Sequence, residues 1–125
     1  MAEIPAASNV FGYLRSTVGL LPVRDVLCSR LGLSAEQVQV KSSAEDGAQT
    51  LQIETSTCSL QTRPARLPNT WQLDGAVAGS PDEIFETLLP FVQNLGWAGF
   101  PTHFEIYDSA FQFAGECPRE GRGAQ

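Results

Sequence analysis

Lysine and arginine are missing from the whole stretch between Leu67 and Pro118, which holds seven acids: Asp74, Asp82, Glu83, Glu86, Glu105, Asp108 and Glu116. Residues 1–66 carry six acids and six bases and are neutral, and Arg119, Glu120 and Arg122 complete the net charge of −6. A surface of this sign repels nucleic acid and anionic membrane and steers basic partners toward itself. The same charge also serves solubility.

Other scarcities narrow the chemistry. There is one histidine, His103, so a zinc site has no imidazole companion. The three cysteines, Cys28, Cys58 and Cys117, are odd in number, far apart and free of any CxxC spacing. They read as small hydrophobes in a reducing compartment, not as a disulfide framework. Neither Cys28 nor Cys58 has the local setting of a nucleophile that could work with His103. Gly-rich phosphate loops and nucleophile elbows are absent. The start, Met-Ala-Glu-Ile-Pro, has neither the basic nor the apolar region of a signal peptide, and apolar runs are only a few residues long. These features imply a cytoplasmic protein with no membrane segment, no metal and no cofactor.

The length of 125 residues fits one domain with its own core. Residues 1–7 and 118–125 read as flexible tails. Ser8 or Asn9 could cap a first helix through Val10, Leu14 and Val18, ended by Gly19. Pro22 opens a second, with Val23, Val26, Leu27 and Leu31 on one side and Gly32 as its stop. The period then changes to two. Val38 and Val40, then Leu51 and Ile53, make a hairpin around the turn Ala44–Gly47. The parity slips near Ser56–Thr57, which requires a bulge or a turn before Cys58 and Leu60. Pro64 and Pro68 mark a loop, and Trp71, Leu73 and Val77 a further strand.

The longest helix is expected over about 80–95. Ser80 is its N-cap, Pro81 its first residue and Glu83 the partner in a capping box. Ile84, Leu88, Phe91, Val92 and Leu95 form its buried stripe, and Pro90 predicts a kink or a break. Trp97 and Phe100 are expected to close the core; either one, if exposed, would be a binding hot spot. Thr102–Asp108 alternates as a strand, and Phe111 and Phe113 start its partner. The fold class is α+β: an antiparallel sheet of about five to six strands, with two N-terminal helices and the longer helix on one face.

Two groups of residues carry a binding reading. Asp82, Glu83 and Glu86 crowd the start of one helix, where they suit the helix dipole and could also plug a cationic cleft. His103, Glu105, Tyr107 and then Asp108 lie along one strand, with His103, Glu105 and Tyr107 sharing a face. That face could be a contact patch. It could also be an acid–base cluster in a small enzyme or ligand-binding regulator.

The stretch Leu67-Pro-Asn-Thr-Trp71, Gly79-Ser-Pro-Asp-Glu83 and His103-Phe-Glu-Ile-Tyr-Asp108 resembles small acidic bacterial immunity proteins, which neutralise interbacterial toxins. The resemblance spans residues 67–108, a third of the chain. It implies a non-enzymatic inhibitor that occludes the basic active site of a toxin, and no catalytic residue carries over. An adaptor or chaperone for a secreted effector would have the same composition.

Overall fold

A computed structural model describes residues 3–118. The elements run β1 (Val10–Arg15), α1 (Leu21–Leu31), β2 (Val38–Ser42), β3 (Gln49–Glu54), β4 (Cys58–Pro64), β5 (Thr70–Val77), α2 (Pro81–Trp97), β6 (Thr102–Tyr107) and β7 (Phe113–Cys117). The seven strands form one sheet in the order β2-β3-β4-β5-β1-β6-β7, and every neighbouring pair is antiparallel. The α+β class is as expected. The sheet has more strands than the five to six expected, and the described residues hold two helices, not three.

The difference lies in residues 10–18, expected as a helix: residues 10–15 form β1, an interior strand between β5 and β6. Val10 and Leu14 are four apart, which places them on one side of a helix but equally on one side of a strand. Gly12 between them decides the matter. A side chain there would run into the His103 carbonyl, so β6 comes closer than any Cβ permits. Val18, the third member of the supposed stripe, is 60% exposed in the loop beyond. Asn9 does not cap a helix; it extends the ladder. Its side-chain amide donates to Val77 O and accepts from Val77 N, both at 2.9 Å, while its own carbonyl accepts from Tyr107 N.

The hairpin over Val38–Ile53 forms as read, and the parity slip is a turn at Thr55–Thr57. Helix α1 ends at Gly32 in the left-handed conformation, φ 69°, which a residue without Cβ accepts freely. Helix α2 carries the capping box in full: Ser80 Oγ accepts from Glu83 N at 3.3 Å, and Glu83 Oε1 accepts from Ser80 N at 2.8 Å. Pro90 does not break it. The helix runs unbroken to Trp97 with Pro90 on its exposed side, facing water with Glu86 one turn earlier.

Both helices pack on one face of the sheet. Val10, Leu14, Leu51, Ile53, Leu60, Leu73, Phe104 and Ile106 point into a single core with Val23, Leu27, Ile84, Leu88, Val92 and Leu95. Each such side chain contributes on the order of 1.5–3 kcal/mol by leaving water. No helix among the described residues is long and apolar enough to cross a membrane. Residues 3–7, expected as part of a tail, run beside the sheet, where Ile4, Pro5 and Ala6 line a groove with Glu54, Ser59, Gln61 and Ala76. The tail expected over 118–125 lies outside the described residues except for Pro118.

Candidate functional site

Among the described residues no helix covers the face of the sheet away from α1 and α2, and residues 4–8 border it beside β4 and β5. Strand pairing lines up its residues in rows. One row runs Gln61, Asp74, Phe11, Glu105 and Glu116 across β4, β5, β1, β6 and β7. The next runs Arg63, Gln72, Tyr13 and His103. Phe11 and Tyr13 remain 37% and 43% exposed although they sit on an interior strand.

The aromatic rings on this face touch. Tyr107 meets Phe11 edge to face with centroids 5.6 Å apart, and Phe113 on its other side at 5.9 Å. Tyr13 stacks on His103 at 5.6 Å. Carboxylates border the rings. Tyr107 Oη donates to Glu105 Oε1 at 3.0 Å, and this bond to a carboxylate pushes the phenol above its ordinary pKa. His103 Nε2 lies 3.3 Å from Glu116 Oε1. Asp74 Oδ2 accepts from Arg63 Nη2 at 2.8 Å, while Asp74 Oδ1 is buried without a hydrogen-bond partner among the described residues.

The sequence-named residues fall into two groups on opposite sides of the sheet. His103, Glu105 and Tyr107 lie on the open face. Asp82, Glu83 and Glu86 lie in the helix layer, with Glu83 engaged in the cap, where its bonds to Ser80 hold its carboxyl below the usual glutamate range. Asp108 joins the groups over the sheet edge. It opens the β6–β7 turn, where its Oδ1 accepts from Ala110 N at 2.9 Å and Gln112 N at 3.0 Å. Tyr107 and Asp108 line a groove of about 350 Å3 with Gly79, Ser80, Pro81 and Ile84 at the start of α2.

Cys58 faces the core, and burial pushes its thiol pKa up, so it does not approach His103 on the other face. Phe100 is buried, but Trp97, expected beside it in the core, is 73% exposed at the end of α2. Phe11, Tyr13, Phe113 and Glu116 are the residues of the open face that sequence reasoning missed. Reading Val10-Phe11-Gly12-Tyr13-Leu14 with period two would have found the first two.

Strand direction spreads charge unevenly between the two ends of the sheet. Glu36, Glu54, Asp82, Glu83, Glu86 and Asp108 lie at the end where α2 begins, together with Arg30. Arg15, Arg24, Lys41, Arg63 and Arg66 lie at the opposite end, together with the acids Asp25, Glu45 and Asp46. Four acids of the base-free stretch, Asp82, Glu83, Glu86 and Asp108, therefore share this acidic end where α2 begins, and the other three, Asp74, Glu105 and Glu116, lie on the open face.

No family model, curated protein or solved structure matches the chain. The surface itself is the guide to function.

Proposed function

We propose that this chain is a protein-binding inhibitor that lays its open sheet face and acidic end against a basic protein surface. The observation that carries this is the interior strand β1, whose Phe11 and Tyr13 stay exposed among rings and carboxylates where no helix of the described residues covers the sheet. Exposed aromatic side chains beside acids suit arginine and lysine, which stack on ring faces and pair with carboxylates. Aromatic residues on a rigid sheet are also strong interface anchors, because little side-chain freedom is lost on docking.

A cleft that acts on nucleic acid or nucleotides must itself be cationic, and an acidic protein that fills it blocks substrate. The narrower reading is therefore an immunity protein that neutralises a bacterial toxin in the cytoplasm, in keeping with a sequence whose three cysteines are odd in number and widely spaced.

The test starts from the product of the adjacent gene. A basic toxin domain encoded there should bind the purified chain and lose its toxicity on co-expression. Replacing Phe11 and Tyr13 together by serine should abolish both effects, while Leu67→Ser, at an exposed position away from this face, should leave them intact. Full protection by the Phe11/Tyr13 double variant would refute the open face as the contact. Binding without loss of toxicity would indicate an adaptor or chaperone.

A further inference from the structure

We propose that the groove between the start of α2 and the β6–β7 turn receives one lysine or arginine side chain of the basic partner. This rests on the reading of the protein as a binder of basic proteins and names the anchor that such a partner must offer.

The groove's volume of about 350 Å3 is ample for one long side chain. Its walls are mainly apolar, from Pro5, Ala7, Pro81, Ile84, Tyr107 and Phe111. Apolar walls suit an alkyl stem, and the charge around them suits a cationic head. Asp108 is the charged residue of the lining. Asp108 accepts both of its turn hydrogen bonds on Oδ1, which leaves Oδ2 for an incoming cation. The helix start does not reserve the groove for an anion. Ser80 Oγ takes Glu83 N, the Glu83 carboxylate takes Ser80 N, and Pro81 has no N–H.

Phe111 gives the second indication. Its φ is 60°, a left-handed conformation that turns normally assign to glycine or asparagine, and its ring is 62% exposed at the lip of the groove. Strain and exposure in one residue are costs to the free protein. A ring held there can close over the stem of a bound side chain or meet its cationic head.

The experiment uses n-butylguanidinium chloride as the probe, with butyrate and 1-butanol as comparators, followed by NMR of the Ala7 and Ile84 methyl groups. The cation should give saturable shifts with a Kd of about 1–20 mM, the strength that eight non-hydrogen atoms allow. Butyrate should bind at least about tenfold more weakly, since its charge meets that of Asp108. Asp108→Asn keeps the turn acceptor and should weaken the cation about fivefold while leaving 1-butanol unchanged. Phe111→Gly should raise the melting temperature and weaken the cation together. Absence of saturable shifts, equal binding of cation and anion, or an Asp108→Asn variant with undiminished binding would each overturn the proposal. Loss of partner binding on replacing Phe11 and Tyr13 reports on the open face separately, so that reading can survive failure of the groove.

Discussion

The imidazole of His103 lies nearly flat against the ring of Tyr13, with centroids 5.6 Å apart and 19° between the planes. The two residues face each other across β1 and β6, and His103 Nε2 reaches Glu116 on β7 at 3.3 Å. Three strands are thus linked on the open face by side chains that water can reach. A cross-strand pair of this kind contributes only about 0.2–1 kcal/mol to folding. Tyr13→Ala should accordingly lower stability by no more than about 1 kcal/mol in urea denaturation. It should weaken partner binding by about 2 kcal/mol or more in calorimetry, as an aromatic hot spot does. A loss of stability as large as the loss of binding would place the ring in the fold and not in the interface.

Gly12 permits this pairing, because the backbone of β6 occupies the position of its missing side chain. Gly12→Ala must push β1 and β6 apart at the centre of the sheet. The expected cost is about 4 kcal/mol or more, at the upper end for a single substitution. Gly96→Ala, in α2 with open space around the added methyl, should be neutral or stabilising by up to about 1 kcal/mol. Thermal denaturation of the two variants side by side checks both.

Much of the sheet was legible because most of its strands announce themselves by period two. The hairpin from Val38 to Ile53 and the strand through Phe104 and Ile106 alternate cleanly over one buried face. Strand β1 was hidden for a physical reason: its buried pair, Val10 and Leu14, brackets a glycine, so the spacing of four survives and the alternating middle member has no side chain. Losing β1 also hid half of the open face, since Phe11 and Tyr13 enter it only once β1 lies beside β6. Trp97 escaped for a related reason. Its place after the apolar stripe of α2 suggested burial, but the stripe ends at Leu95 and Phe100 fills the corner. Pairing of distant strands, which collects Asp74, Glu105 and Glu116 into one row, is not written in any local window.

Ser80 and Glu83 hold the start of α2 together, and their bond gives a pH dependence with a definite sign. Hydrogen bonds from Ser80 lower the Glu83 pKa in the folded state. A carboxyl whose folded pKa is depressed contributes stability above its unfolded pKa, here about 4.3, and loses it as pH falls through the folded value. Asp46, held down by Ala48 N and Ser43, acts in the same direction in the β2–β3 turn. Melting temperature should therefore fall as pH is lowered from about 5 toward 3, and Glu83→Gln should flatten part of that slope. Ser80→Ala should cost about 1 kcal/mol at neutral pH by removing the cap. A slope unchanged in Glu83→Gln would mean that other carboxyls dominate the acid limb.

The role of Glu83 in the cap changes how the acidic end must be probed. Reversing Asp82, Glu83 and Glu86 together would break the capping box as well as the field, so slower binding would have two causes. Asp82 and Glu86 are exposed and free of the box, and their reversal leaves both Ser80–Glu83 bonds in place. Asp82→Lys with Glu86→Lys shifts the charge of this end by four units, because two negative charges become two positive ones. Long-range steering acts on association and is screened beyond about 10 Å in 0.1 M salt. The double variant should slow association with the basic partner by about tenfold or more at low ionic strength and flatten its dependence on salt. Dissociation should change much less, since contacts on the open face hold the complex once formed. Stopped-flow association measured across ionic strength separates the two effects. An association rate that is unchanged at low salt would show that the acidic end does not guide the partner, and that its charge serves solubility alone.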